Sequence, residues 1–519
     1  MRKPNILLVM ADQLTAGALP AYGNAVAKTP HIDALAARGT VFGNTYCNFP
    51  ICAPSRASML TGQRASCIGA FDNGADFPSS TPTLMHHLRL AGYRTILAGK
   101  MHFVGPDQLH GYEERVTTDI YPSDFTWTPD WQAPGPPASG ARMSLLGVVE
   151  AGLCTRSLQL DYDEEVAYAA ERKLYDLARD ADKRPFFMTV SFTHPHNPFV
   201  TTQQYWDRYD PAEIDMPAVG PIPFEAQDGR SKRHYLLTRC DEHDVTPDRL
   251  RDARHAYYAM TSYIDDKLGA LMATLEAVGL AEDTIVIFTS DHGEMLGERG
   301  MWFKMCLFEG SVRVPLIIAG PGWPAGAARP ENTSLLDLAP TILAQAADAA
   351  RPTAFEGRDL LPLARGEAPD WPQDVHCEYT AEGCDEPWLM LRRGARKMIW
   401  SATHGPQLFD LAQDPHEAHD LAALPEHAAE VAAMIGAIRA HWDVPALHRA
   451  VLESQRRRHL LRAALAQGQR PPWDWQPPLD AAKQYVRSGD SPTLTKIRSR
   501  LPYRAPVPPD HPRKPEDTP

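Results

Sequence analysis

The stretch Asn5–Gln13, Asn-Ile-Leu-Leu-Val-Met-Ala-Asp-Gln, decides the fold. Its apolar run, Ile6–Ala11, does not alternate and stops at an acid and an amide. A continuous run that short reads as a strand buried on both faces, which is the habit of parallel sheets covered by helices. Arg94–Ala98, Phe186–Phe192, Thr284–Ser290 and Val314–Ala319 repeat the signature, and Val41–Tyr46 alternates as a strand. Helical segments lie between them. Thr29-Pro30 opens one over His31–Arg38, with Gly39 positioned to end it. Thr83–Ala91 is a second, closed by Gly92, and Asp248–Val278 is a long third. This recurrence predicts an α/β fold with a central, mostly parallel sheet flanked by helices.

Working outward, residues 105–160 are rich in Pro, Gly and Trp and weakly periodic, an excursion able to wall a pocket. Trp388–Leu391 and Lys397–Trp400 flank Arg393-Gly394 and read as a hairpin. The expected organisation is a catalytic α/β domain over 1–369, a smaller α+β unit over 370–440, and a helical segment with an extended tail over 441–519. Within the last, Gln455–Arg462 (QRRRHLLR) reads as the solvated face of a helix. The tail carries Trp473 and Trp475, which a disordered segment does not need. They are expected to pack on a neighbouring subunit, giving a homodimer or homotetramer.

Composition excludes several classes. A chain of 519 residues can bury a large core without disulfides. With 44% hydrophobic and 23% charged residues it is neither disordered nor fibrous. No stretch approaches the roughly 20 apolar residues of a membrane span. A net charge of −13 argues against binding nucleic acid through a basic surface. The first apolar run is too short for a signal-peptide core, so the expected location is the cytoplasm. The eight cysteines are scattered with no C-x-x-C pair, which argues against a thiolate zinc site.

Ligands in parallel sheets sit at the carboxyl ends of the strands. Asp12-Gln13 follows the first strand, Gly99-Lys100-Met101-His102 another, Thr193-His194-Pro195-His196-Asn197-Pro198 another, and Asp291-His292-Gly293-Glu294 another. One acid after a strand is usually a turn or a helix cap. Four such ends together favour a metal-centred site. Asp12, Asp291 and His292 offer two carboxylates and an imidazole, suited to a divalent cation such as Ca²⁺, Mg²⁺ or Mn²⁺. Cys52-Ala53-Pro54-Ser55-Arg56 places Pro54 in the first turn of a helix, Cys52 at its N-terminus and Arg56 one turn on. Read from the residues alone, Cys52 is a thiolate nucleophile of lowered pKa. The bland alternative is a buried cysteine beside a surface arginine.

Cys52–Arg56 followed by Leu60-Thr61-Gly62 resembles the modification motif of formylglycine-dependent (type I) sulfatases in the alkaline-phosphatase superfamily. Its companions follow in the family's order: Gly99–His102, Pro195–Pro198, Asp291–Glu294 and Lys304 before Glu309-Gly310. Thr117–Trp131 and the Trp-bearing tail resemble choline sulfatases more narrowly. The resemblance implies oxidation of Cys52 to Cα-formylglycine by a formylglycine-generating maturation enzyme. It implies one divalent metal, Ca²⁺ with Mn²⁺ or Mg²⁺ as alternatives, held by Asp12, Gln13, Cys52, Asp291 and His292. Many relatives have a second Asp where this chain has Gln13. Arg56 and Lys100 are then expected to hold the nucleophile and sulfate oxygens, and His102 to contact the hydrate's second hydroxyl. His196 and Lys304 are expected to face the leaving oxygen, with His194 as a decoy.

The implied reaction is attack of the hydrated aldehyde on sulfur, proton donation by His196, and expulsion of sulfate from the geminal diol. The implied cation pocket uses Trp127 and Glu382, with Met143 standing where the family has a histidine. Arg487-Ser488-Gly489 also departs from the family's Arg-Asn-His pattern. The expected substrate is a small-molecule sulfate monoester, choline O-sulfate or a related alkyl or aryl sulfate. The alternatives are a broad arylsulfatase, or a phosphonate monoester or phosphodiester hydrolase on the same scaffold. A non-enzymatic binding protein with unmodified Cys52 would not require Lys100, His102, His196 and Lys304 together.

Overall fold

The computed structural model of the protein describes residues 3–133, 144–346, 355–469 and 472–478. Its centre is a nine-stranded sheet. Along the sheet the order is Ala327–Ser334, Gly39–Tyr46, Leu316–Ala319, Thr284–Thr289, Asn5–Ala11, Phe186–Phe192, Arg94–Gly99 and Glu114–Arg115, and Arg313–Val314 pairs off the path with Gly39–Tyr46. Asn5–Ala11 runs parallel to Phe186–Phe192 on one side and to Thr284–Thr289 on the other. All three strands are buried along their whole length, as their uninterrupted apolar character requires.

Two helix groups flank the sheet. Pro247–Ala277 packs with Leu158–Arg179 and Pro30–Ala37, while Cys52–Thr61 packs with Leu338–Gln345 and Leu84–Leu90. No helix among the described residues is long and apolar enough to cross a membrane.

Two local expectations change. Leu316–Ala319 runs antiparallel to both of its neighbours, so the sheet is mixed at that strand. Gly39 does not end the preceding helix by a left-handed turn. It starts a strand, and a Cβ there would lie 2.5 Å from the Ile318 carbonyl oxygen. The glycine is needed for close strand approach. Gly99, by contrast, has φ +98°, and a Cβ on it would come within 2.0 Å of the Ser191 oxygen. Only glycine lets the chain turn there and send Lys100 across the strand ends.

The smaller unit is an antiparallel meander, Asp374–Tyr379, Trp388–Arg393, Arg396–Ser401 and Gly405–Asp410. Helix Ala428–His441 covers it through Met434 and Ile438, which pack with Leu389, Leu391, Met398 and Trp400. The hairpin at Arg393-Gly394 is present, and Gly394 has φ +56°. Helix Val444–Leu465 follows.

Candidate active site

Four parallel strand ends deliver the polar residues to one place. Asp12, Cys52, Asp291 and His292 are fully buried, with their ligand atoms within 4.8 Å of one another. Cys52 opens helix Cys52–Thr61, as its Pro54 predicts. Its Sγ lies 3.2 Å from His292 Nε2, 3.4 Å from Lys100 Nζ and 3.8 Å from Asp12 Oδ1. His292 Nδ1 donates to the Gly293 carbonyl at 3.1 Å, which leaves the Nε2 lone pair facing the cluster. Two carboxylates and an imidazole so aimed fit a hard divalent cation.

Cations balance the acids. Arg56 Nε donates to Asp291 Oδ2 at 2.8 Å, and Lys100 pairs with Asp12. Burial opposes the Asp12 charge, but Lys100 and Arg56 outweigh it and hold the carboxyl below the usual range. Arg56 also donates to Ser191 Oγ at 2.8 Å, and its Nη2 has no hydrogen-bond partner. That free N–H is available to an anionic oxygen.

The surroundings of Cys52 oppose the thiolate reading. Burial, with Asp12 beside it, pushes the thiol up to about 11, beyond what the helix end and Lys100 recover.

Gln13 lies next to the cluster. Its side-chain oxygen accepts from Lys304, and its amide nitrogen donates to Glu294 and, at 3.3 Å, to Asn197 Oδ1. Lys304 Nζ also donates to His196 Nε2 at 2.7 Å, and His196 Nδ1 donates to the Asn197 carbonyl at 2.7 Å. Burial, then the Lys304 charge, lowers the His196 pKa well below the imidazole norm. His196 is therefore neutral, with its proton on Nδ1. His194 is elsewhere: its Nδ1 contacts Asp163 at 2.6 Å. His102 is buried with both ring nitrogens unpartnered, and no hydrogen bond joins it to Cys52. Its backbone N–H is held by Asp119 at 2.8 Å.

These groups open into a cavity of about 310 Å³ lined by Cys52, Tyr121, Trp127, His196, Lys304 and Glu382. Trp127 and Tyr121 form an aromatic corner, with centroids 4.9 Å apart at 59°. Glu382 is buried, and neither carboxylate oxygen has a partner. Burial, then repulsion from Asp72, pushes its pKa up to about 8. An orphaned buried carboxylate is costly unless something answers it.

Met143 and Arg487-Ser488-Gly489 lie outside the described residues. Sequence reasoning missed Tyr121, although it sits inside the quoted Thr117–Trp131 stretch. Its ring covers Lys100 Nζ at 4.2 Å and its hydroxyl is 3.5 Å from His196. The tail tryptophans also have partners within the chain, and both stay half-exposed. Trp473 meets Phe125 edge-on at 5.4 Å, and Trp475 Nε1 donates to the Arg115 carbonyl at 3.1 Å, both in the same chain.

Residues 4–349 match the sulfatase family. The chain belongs to that family. Residues 449–500 match the choline sulfatase enzyme C terminal and 297–441 the N-sulphoglucosamine sulphohydrolase C-terminal family. The sulfatase is 45% identical to the choline-sulfatase of Rhizobium meliloti (strain 1021), over 94% of this chain and 96% of that one. It is 28% identical to an arylsulfatase of Clostridium perfringens, over 81% and 90%. A phosphonate monoester hydrolase of Agrobacterium radiobacter superposes with a TM-score of 0.69 at 26% identity, covering 84% of this chain and 96% of that one. The sulfatase is thus a sulfate ester hydrolase on an alkaline-phosphatase-type fold.

Proposed function

We propose that this sulfatase hydrolyses small sulfate monoesters with a cationic leaving group, choline O-sulfate first among them. The carrying observation is Glu382: a buried carboxylate without partners, in one cavity with Trp127 and the reacting end of Cys52. A trimethylammonium group answers its charge, without a hydrogen bond, and lies well against an indole.

Residue 52, as formylglycine, supplies the attacking hydroxyl, and a divalent ion on Asp12, Asp291 and His292, with Gln13 adjacent, supplies positive charge at the sulfate. Arg56 offers its Nη2 to a sulfate oxygen, and Lys100, whose Nζ lies 3.4 Å from Cys52 Sγ, adds a second positive charge. Proton delivery to the leaving oxygen runs through Lys304 and His196. The only N–H of His196 is spent on Asn197, so a donor role for Nε2 needs the proton that Lys304 holds 2.7 Å away. His102, whose ring nitrogens have no hydrogen-bond partner, is assigned by the family resemblance as the base that takes a proton from residue 52. The organisation into a catalytic domain, an α+β unit and a helical C-terminal segment, maturation of Cys52, and placement in the reducing cytoplasm (for which the scattered cysteines speak) complete the proposal.

The test compares choline O-sulfate with its uncharged carbon analogue, 3,3-dimethylbutyl sulfate. A desolvated cation–π contact of about 2 kcal/mol corresponds to roughly a 30-fold preference in kcat/KM. Trp127→Ala and Glu382→Gln should each remove most of it. The preference should also rise with pH as Glu382 ionises near 8, with Asp72 opposing that charge and Lys304 and Arg458 favouring it. If the uncharged ester is cleaved as well and Trp127→Ala slows both alike, the cation reading fails. A phenylphosphonate monoester in the same assay tests the reading that the Agrobacterium neighbour favours.

A further inference from the structure

In the basic run Gln455–Arg462, expected to face solvent, Arg456, Arg457 and Arg462 are exposed, but Gln455 and Arg458 are turned inward. Arg458 is fully buried and grips Asp72 with both guanidinium nitrogens at 2.7 Å. Its Nη1 also donates to Thr128 Oγ1 at 3.1 Å. Gln455 accepts from the Trp131 backbone N–H at 3.1 Å. His459 Nε2 donates to the Pro129 carbonyl at 3.1 Å, and Arg462 donates to the Thr126 carbonyl at 3.2 Å. Positions 455, 458, 459 and 462 are one stripe of a helix. The stripe is spent along residues 126–131, the segment that carries Trp127.

The other end of the grip reaches the reacting residue. Asp72 caps the Gly74 N–H at 2.9 Å, and the next residue, Asn73, lines the cavity and accepts from Ala53 N–H at 3.0 Å. A Cβ on Gly74 would lie 2.4 Å from the Thr128 nitrogen and 2.7 Å from the Trp127 carbonyl carbon. The Asp72–Gly74 turn and the Trp127–Thr128 backbone are therefore in direct contact, and Arg458 bonds both. It also pairs with Asp72, whereas neither Glu382 oxygen has a hydrogen-bond partner.

We propose that Arg458 is a positioning residue for substrate specificity: from the C-terminal helix it locks the Trp127 segment onto the Asp72–Gly74 turn and so sets the wall that receives the cation. The proposal rests on the reading of Trp127 and Glu382 as a cation pocket. The planar fork matters, because only a guanidinium can bond Asp72 bidentately and reach Thr128 as well.

The experiment measures kcat and KM of the metal-loaded, matured enzyme for choline O-sulfate and 3,3-dimethylbutyl sulfate. The proteins are the wild type, Arg458→Lys and Thr128→Val. Arg458→Lys keeps the charge beside Asp72 and loses the fork. It should raise the choline O-sulfate KM and lower the choline-to-analogue ratio of kcat/KM about tenfold, the scale of one charge-assisted hydrogen bond. Thr128→Val removes the second contact together with the 2.9 Å bond from Thr128 Oγ1 to the Phe125 carbonyl, and should lower the ratio about threefold. A merely structural role would slow both substrates equally. An unchanged ratio in both variants, or in Thr128→Val if Arg458→Lys does not fold, overturns the proposal. A wild type without preference for choline O-sulfate overturns the cation pocket itself, and the positioning role with it; that outcome is read before any variant is made.

Discussion

Cys52→Ala is expected to lower turnover of any sulfate ester by about 10⁶-fold, the scale of deleting a covalent nucleophile. The fold should persist, because the side chain lies at the first turn of a helix and not within the apolar cluster of the sheet. Removing Sγ takes away a polar atom from among Asp12, His292 and Lys100, all of which keep other partners. Near-normal melting with no turnover is the expected pair of observations. Cys52→Ser restores one hydroxyl but not the second, through which a geminal diol releases its product, and should stop after one turnover. The unmodified thiol is no substitute, since it too lacks the second hydroxyl, and burial pushes its pKa up to about 11. Peptide mass at residue 52 should therefore track specific activity across preparations with different degrees of maturation. Cys52 is buried inside a formed helix, so incubating folded, unmodified protein with the maturation enzyme should not raise its activity. Wild-type rates in Cys52→Ala would remove the mechanism.

The strand ends were legible because apolar runs mark buried strands, and the polar residue after each run then falls at one edge of a parallel sheet. Asp12, Lys100, His196 and Asp291 were found in that way, and they do converge. Leu316–Ala319 was found as a strand but not as an antiparallel one. A short apolar run carries no direction, which is set by how the chain returns after Arg313–Val314. Gly39 shows the same limit: a stop signal and a close backbone contact call for the same residue. Arg458 was out of reach for a different reason. In sequence it is one of several charges on a helix, and its burial follows from Asp72, 386 positions away. At Cys52 the helix-end position is visible in sequence, while the burial that raises its pKa is not. Glu382 was placed through resemblance; its orphaned oxygens needed coordinates to be seen.

Removal of divalent metal should abolish activity and lower the melting temperature, and Ca²⁺, Mg²⁺ or Mn²⁺ should restore both to differing degrees. Asp12 and Asp291 are fully buried carboxylates within one ligand cluster, and each already faces a cation, Lys100 and Arg56 respectively. Those cations offset the acids but do not use the lone pair of His292, which its bond to Gly293 directs inward. A divalent ion satisfies all three donors at once. An ion present at a thousand times its Kd adds about 4 kcal/mol to folding stability, so chelation has a readout independent of turnover. Asp291→Asn keeps the shape of the site and removes one negative charge. Metal affinity should fall at least about 100-fold, at the upper end of losses seen when partners around a metal are altered. Arg56 loses its 2.8 Å ion pair in the same variant, so part of the stability loss will persist at saturating metal. The metal-dependent part is isolated by the slope of melting temperature against ion concentration. Full activity in protein shown by elemental analysis to be metal-free would contradict the assignment, as would a melting temperature indifferent to chelation. Elemental analysis of protein purified without chelator then identifies the resident ion.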